Sequence, residues 1–168
     1  VFQYPEYQLF EETVYKDIAF GPKNMGISSE EIDNRVKEAI SFTGLPEEIL
    51  EKSPFELSGG QKRRVAIAGV IAMRPEILIL DEPAAGLDPR GRDGILKKIK
   101  EYHEKEKKTI ILSSHSMEDI AKNTEKVMVM NKAQIDMFET IENVFKKSVR
   151  LTEIGLDIPM ITRIFLDL

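Results

Sequence analysis

The sequence predicts an α/β fold, a parallel sheet alternating with helices and joined to a mainly helical region. Three observations carry this. The apolar runs at residues 77–80 and 109–112 are too short for helices and end in polar clusters, DEP and SSHS, as buried parallel strands do. Between them, from Pro89, Ile95, Leu96 and Ile99 recur at helical spacing, so strand and helix alternate after residue 75. Residues 28–73, in contrast, carry repeated helix-start signals and no strand pattern.

The elements follow in order. Residues 1–27, broken by Pro5, Gly21, Pro22 and Gly26, read as a strand end and loop. A helix is expected over residues 28–45: Ser28 and Glu31 have capping-box spacing, Ile32, Val36, Ala39 and Ile40 share one face, and Gly44 closes it. PEEILEKS is a short helical turn. In ELSGGQKRRVAIAGVIAM, Ser58 and Gln61 repeat the capping-box spacing before a helix that runs through Met73 and stops near Pro75. After the strand at Ile77–Leu80, the helix from Pro89 and the strand at 109–112 come a short helix from Met117 to Asn123 and a third strand, KVMVM. NKA turns the chain into QIDMF, an alternating strand expected to be exposed, and a small helix follows from Thr140 to Lys147. The last stretch, LTEIGLDIPMITRIFLDL, ends on apolar residues and reads as cut short.

Composition narrows the function. The 168 residues suffice for one globular domain or most of a larger one. With 42% hydrophobic and 32% charged residues this is a folding chain. A net charge of −5 argues against a nucleic-acid binder, which usually carries a basic face. The lack of cysteine removes disulfides and thiolate zinc sites. No run of about 18 apolar residues is present to span a membrane, and no signal peptide opens the sequence. Its first residue, Val1, stands as if in mid-strand, so a fragment is expected.

Four short stretches carry chemistry. In LSGGQ, a helix start offers unpaired backbone N–H groups and about half a positive charge, Ser58 adds a hydroxyl, and Gly59 and Gly60 allow close approach of an anion. Alone, SGG is more often an ordinary N-cap, but the full pentapeptide arises by chance about once in a million starting positions. In LDEP, Asp81 ends a strand where a Mg²⁺ ligand is needed, and Glu82 points elsewhere and could take a proton from an attacking water. A turn at a strand end is the alternative. GLDP, with Asp88, is a helix-start signal in its own right. His115 in SSHS follows a strand at the sheet edge where open α/β folds bind ligands, though a lone histidine is more often a hydrogen-bonded loop residue. His103, in a charge run, has only that plainer reading.

Taken in order, Gln3, LSGGQ, ILILDEP, GLDP and SSHS resemble the motifs of ATP-binding-cassette (ABC) ATPases, from Val1 to about residue 146. FQYPEYQLFEETVYKDIAFGP, with GLDPRGR and SSHSMEDIA, is similar to the ATPase subunits of energy-coupling-factor (ECF) transporters, importers of vitamins and of cobalt or nickel.

The resemblance implies an incomplete P-loop NTPase core with a parallel sheet plus an α-helical subdomain. It implies ATP and Mg²⁺ as nucleotide and cofactor. By position, Gln3 would link the metal and the attacking water to the transport partner, and Ser58, Gly59, Gly60 and Gln61 would contact the terminal phosphate. Asp81 would hold Mg²⁺, Glu82 would be the general base, Asp88 a cross-subunit contact and His115 the terminal-phosphate switch.

Residues 1–75 would form the glutamine loop and helical subdomain, 76–148 the α/β core, and 149–168 the start of a C-terminal segment. The implied partners are a second ATPase subunit paired head to tail, a transmembrane coupling subunit and a substrate-binding membrane subunit, at the cytoplasmic face of the membrane. No nucleic acid is implied. The segment after Gln3, with Tyr4, Tyr7, Leu9 and Phe10, would border the groove for the membrane subunit's coupling helix; plain core packing is the alternative for those side chains.

No G-x-x-x-x-G-K-[ST] loop occurs in the chain. In the family that loop precedes the Gln3 position, so this chain is expected to be the C-terminal two-thirds of a nucleotide-binding domain, inactive by itself. Two positions depart from the family: Ala84 stands where Thr or Ser is usual, and Ala133 stands where the hairpin often has Gly. A non-transport ABC ATPase would need a coiled-coil insert, a second cassette or a basic face, none of which is present in the sequence. A non-catalytic partner that supplies its signature in trans stays open.

Overall fold

A computed structural model describes residue 1 and residues 5–158 in two compact units, Val1–Ser113 and Ser114–Leu168. Gln3 lies outside the described residues, as do Tyr4 and residues 159–168 of the C-terminal segment.

The first unit opens with an element the sequence does not announce. Helix α1 spans Val14–Asn24, inside the stretch expected to be loop. Thr13 caps it by accepting the Lys16 N–H, and Val14, Ile18, Ala19 and Pro22 form one buried face. Pro22 lies in the last turn, where it removes one helical hydrogen bond and is itself buried with that face. Helix α2, Ser29–Thr43, ends as expected at Gly44, whose φ of 69° is the left-handed conformation glycine takes most easily. Its start departs from a full capping box. Ser28 accepts the Glu31 N–H, but the Glu31 carboxylate reaches Arg35 and Arg74 instead of turning back.

Short 3₁₀ turns at Glu47–Glu51 and Pro54–Glu56 lead into helix α3, Gly59–Ala72. Strand β1 (Ile77–Asp81), helix α4 (Pro89–Glu106) and strand β2 (Thr109–Ser113) make a β–α–β unit with β1 and β2 parallel, in register from Ile77↔Thr109 to Asp81↔Ser113. Val1 lies along the other edge of β1. Its nitrogen donates to the Ile79 carbonyl (2.7 Å) and its carbonyl accepts the Asp81 N–H (3.0 Å).

One hydrophobic core joins α1–α4 to this sheet through Ile18, Val36, Ile40, Val65, Leu78 and Leu80. Each fully buried aliphatic side chain of this kind contributes about 1.5–3 kcal/mol. The strands are not buried on both faces as the apolar runs suggested. Leu78 and Leu80 are buried, whereas Ile77, Ile79 and Ile111 are more than half exposed. Among the described residues one face of this sheet carries no covering layer.

In the second unit, helix α5 (Met117–Asn123) precedes strands β3 (Lys126–Asn131) and β4 (Gln134–Thr140), which pair antiparallel as a hairpin. Among the described residues β3 is therefore not a further strand of the parallel sheet. The hairpin turn is Lys132–Ala133, both with positive φ (48° and 60°), the two-residue turn that suits strand twist. Strand β4 is not simply exposed: Met137 is buried with Val129 and Val144, while Ile135 and Phe138 face outward. Helices α6 (Ile141–Phe145) and α7 (Ser148–Glu153) complete the unit. No described helix is long and apolar enough to cross a membrane.

Candidate functional site

The start of α3 is closed by its own four residues. Ser58 Oγ accepts the Gln61 N–H (3.4 Å), and Gln61 Oε1 accepts the Ser58 N–H (3.0 Å), a complete capping box. The Ser58 hydroxyl proton and the Gln61 side-chain NH₂ remain to donate elsewhere. The two glycines between them answer to no crowding within the chain. A Cβ on Gly59 would meet nothing within 4 Å, and one on Gly60 would meet only Leu87 Cδ2 at 3.7 Å. Neither has positive φ. Their smallness is intelligible if something outside this chain comes close to the helix start.

The acidic site is assembled differently. Strand β1 delivers exposed Asp81 and half-buried Glu82 to its C-terminal end, the edge where α/β sheets bind ligands. Glu82 has a φ of 48°, a left-handed backbone uncommon for a non-glycine residue, which turns the chain out of the sheet. Successive turns follow, Ala85 N–H to Glu82 O (3.0 Å) and Leu87 N–H to Ala84 O (3.4 Å), with Gly86 at φ 72°. Asp88 then caps α4: its Oδ1 accepts the Arg90 and Gly91 N–H groups at 3.0 and 3.1 Å. This bears out the helix-start reading of GLDP.

Two residues that the sequence did not single out tie this site together. Arg63, on α3 and only 3% exposed, donates from Nη1 to the Ala85 carbonyl, so α3 grips the loop between Glu82 and Asp88. Ser113, at the end of β2, donates to Asp81 Oδ1 (2.5 Å) and accepts the Glu82 N–H (3.1 Å). The only signal for Arg63 was a cation at a spacing that faces the core. For Ser113 it was a position one strand length along TIILS.

His115 is exposed, two residues beyond β2, and belongs to the second unit. His103 is more than a solvated residue in a charge run: its Nδ1 lies 2.7 Å from the Lys108 carbonyl and closes the end of α4. Upstream of α1, the Asp17 carboxylate accepts the Phe10 and Glu11 N–H groups, and burial pushes its carboxyl above the usual range. Phe10 and Phe20 stack edge to face at 4.9 Å and are both substantially exposed, as is Tyr7.

Among the described residues no cluster of three or more His, Cys, Asp or Glu could hold a metal by protein ligands alone. The exposed carboxylate of Asp81 at the strand end is the kind of donor that suits Mg²⁺, which commonly takes one or two carboxylates and completes its octahedron with phosphate oxygens and water.

Comparison with known proteins gives three findings. The family model described as ABC transporter matches residues 1–85. Proteins named energy-coupling factor transporter ATP-binding protein EcfA2 are 61% identical, from Caldanaerobacter subterraneus subsp. tengcongensis over 168 residues and from Clostridioides difficile over 170. Each alignment covers all of this chain and 59% of the relative, so the chain spans about three-fifths of the length of these curated relatives.

Among solved structures, cbiO1 from Clostridium perfringens, described as part of the ABC transporter complex cbiONQ, superposes with a TM-score of 0.79 at 39% identity. It covers 98% of this chain and 65% of that one. A dimeric ATP-binding cassette bound to ADP and Pi, MJ0796, superposes with a TM-score of 0.70 at 26% identity, covering 83% of this chain and 62% of that one.

Proposed function

The chain belongs to the ABC transporter family, and from that premise we propose that it is part of the ATP-hydrolysing subunit of an ECF-type importer. The subunit would couple Mg-ATP hydrolysis to uptake of a vitamin or a transition-metal ion. The observation that carries the reading is the acid pair, Asp81 and Glu82, at the C-terminal edge of a parallel strand and tied by Arg63 to the LSGGQ helix. The likeness to proteins named as ECF ATP-binding subunits supports the subfamily.

In this reading residues 1–75 form the glutamine loop and helical subdomain, 76–148 the ATPase core, and 149–168 the start of a C-terminal segment. Asp81 would hold Mg²⁺, which would supply positive charge to offset that of the phosphates. Glu82 accepts the proton of the attacking water. Its left-handed backbone turns it away from the strand line that Asp81 continues, so the two acids serve different atoms. The start of α3, with Ser58, Gly59, Gly60 and Gln61, donates N–H and O–H groups to the terminal phosphate of a nucleotide held by a second ATPase subunit. In this reading Asp88 would serve the subunit contact, His115 the terminal phosphate, and Gln3 the metal and water. The exposed aromatic side chains Tyr7, Phe10 and Phe20 suit the groove for a transmembrane coupling subunit, with a separate membrane subunit recognising the cargo. The subunit would sit at the cytoplasmic face of the membrane.

Glu82→Gln tests the chemistry in the intact subunit. The variant keeps ATP-dependent pairing of the ATPases while turnover falls on the order of 10²-fold or more, the contribution of a general base. Wild-type hydrolysis by Glu82→Gln would remove Glu82 from that role.

A further inference from the structure

Strand β1 ends on Asp81, and Glu82 follows it directly. Their surroundings point to a third residue that sets both. Asp81 and Ser113 are register partners at the ends of β1 and β2, so the two strands finish side by side. The Ser113 hydroxyl donates its only proton to Asp81 Oδ1 at 2.5 Å. Ser113 Oγ in turn accepts the Glu82 N–H at 3.1 Å, and that N–H also reaches the Ser113 carbonyl at 3.3 Å.

One side chain therefore fixes the rotamer of the first acid and the backbone of the second. This happens where the chain leaves the sheet with an unfavourable φ of 48° at Glu82. Asp81 is exposed, and an exposed carboxylate without such a donor samples several rotamers. With Oδ1 engaged, Oδ2 is the oxygen left to meet a cation. Hydrogen bonds to a ligating carboxylate orient it, and their loss commonly weakens metal binding 10- to 100-fold.

We propose that Ser113 is a positioning residue of the ATPase site, its hydroxyl pre-setting Asp81 for the metal ion while pinning the amide of Glu82. This rests on the reading of Asp81 as the Mg²⁺ ligand. A hydroxyl that only closed the sheet end would contribute to stability and leave metal affinity alone, and the two roles separate experimentally.

The probe is Mn²⁺, which replaces Mg²⁺ and is counted as free ion by electron paramagnetic resonance, titrated into the intact subunit with saturating ADP. Ser113→Ala should weaken Mn²⁺ binding about tenfold. Ser113→Thr, which keeps the hydroxyl and suits a strand, should stay within about twofold of wild type. Thermal midpoints of all variants are measured alongside. Unchanged Mn²⁺ affinity in Ser113→Ala overturns the proposal, whether or not its midpoint falls. So does a loss of affinity that Ser113→Thr reproduces in full, because the hydroxyl would then not be the cause. Asp81→Asn separates the two levels. If it weakens Mn²⁺ binding and Ser113→Ala does not, only the role of Ser113 fails. If Asp81→Asn leaves the affinity intact, the metal role of Asp81 fails and the inference falls with it.

Discussion

The start of α3 and the end of β1 both present polar groups at the tip of a regular element, yet they are built on opposite plans. At α3 the two cap bonds run between Ser58 and Gln61, so the cap is complete as soon as those four residues turn. At β1 the acids depend on Ser113, more than thirty residues further along, and their loop depends on Arg63, which precedes it. The first region survives rearrangement of its surroundings. The second exists only when β2 has taken its register against β1 and α3 has docked. The two ends are therefore vulnerable in different ways: the helix start is damaged locally, the acidic end from a distance.

The largest test cuts a strut between the two regions. Arg63→Ala removes a buried charged donor from the Ala85 carbonyl and should cost the intact subunit about 2 kcal/mol, read by denaturant unfolding, with slower hydrolysis. A cost below about 0.5 kcal/mol with normal turnover, on that scale, would mean the two regions do not lean on each other. Next in size, Ser58→Ala should cost about 1 kcal/mol through the lost cap, and Ser58→Gly only a few tenths. Equal costs would show that the capping box is not what holds the α3 start.

The smallest effect is a control remote from both regions. Tyr15 donates to Asp33 across α1 and α2, and that bond pushes its hydroxyl up to about 12 from the usual 10.0. A proton held more tightly in the folded state contributes stability that is complete below pH 10 and is lost as pH rises toward 12. Tyr15→Phe should therefore flatten the alkaline fall in thermal midpoint without altering hydrolysis. An unchanged alkaline fall would place the titration elsewhere.

What could be read in the sequence follows the same division. The capping box at Ser58 and Gln61, the Gly44 stop, the Asp88 cap and the helix face of Ile95, Leu96 and Ile99 are all local, and all are present in the fold. Helix α1 was hidden because Gly21 and Pro22 read as breakers, while the burial of Val14, Ile18, Ala19 and Pro22 that overrides them is tertiary. The pairing of β3 with β4, by contrast, is local as well, and the NKA turn between two apolar runs announces it. In the site, the acids and the glycines were legible as residue types. Ser113 and Arg63 were not, since a serine becomes a positioning group only once register places it opposite Asp81.

The backbone of Glu82 sets stability and activity against each other. A side chain at φ 48° costs about 1 kcal/mol or more that glycine would not incur. Glu82→Gly should therefore melt no lower than wild type while hydrolysing almost nothing. A lineage released from the need to turn over ATP would gain by losing the acid there. A glutamate kept at position 82 in independently evolving copies is thus a record of continued selection for hydrolysis, written in a residue the fold by itself would discard.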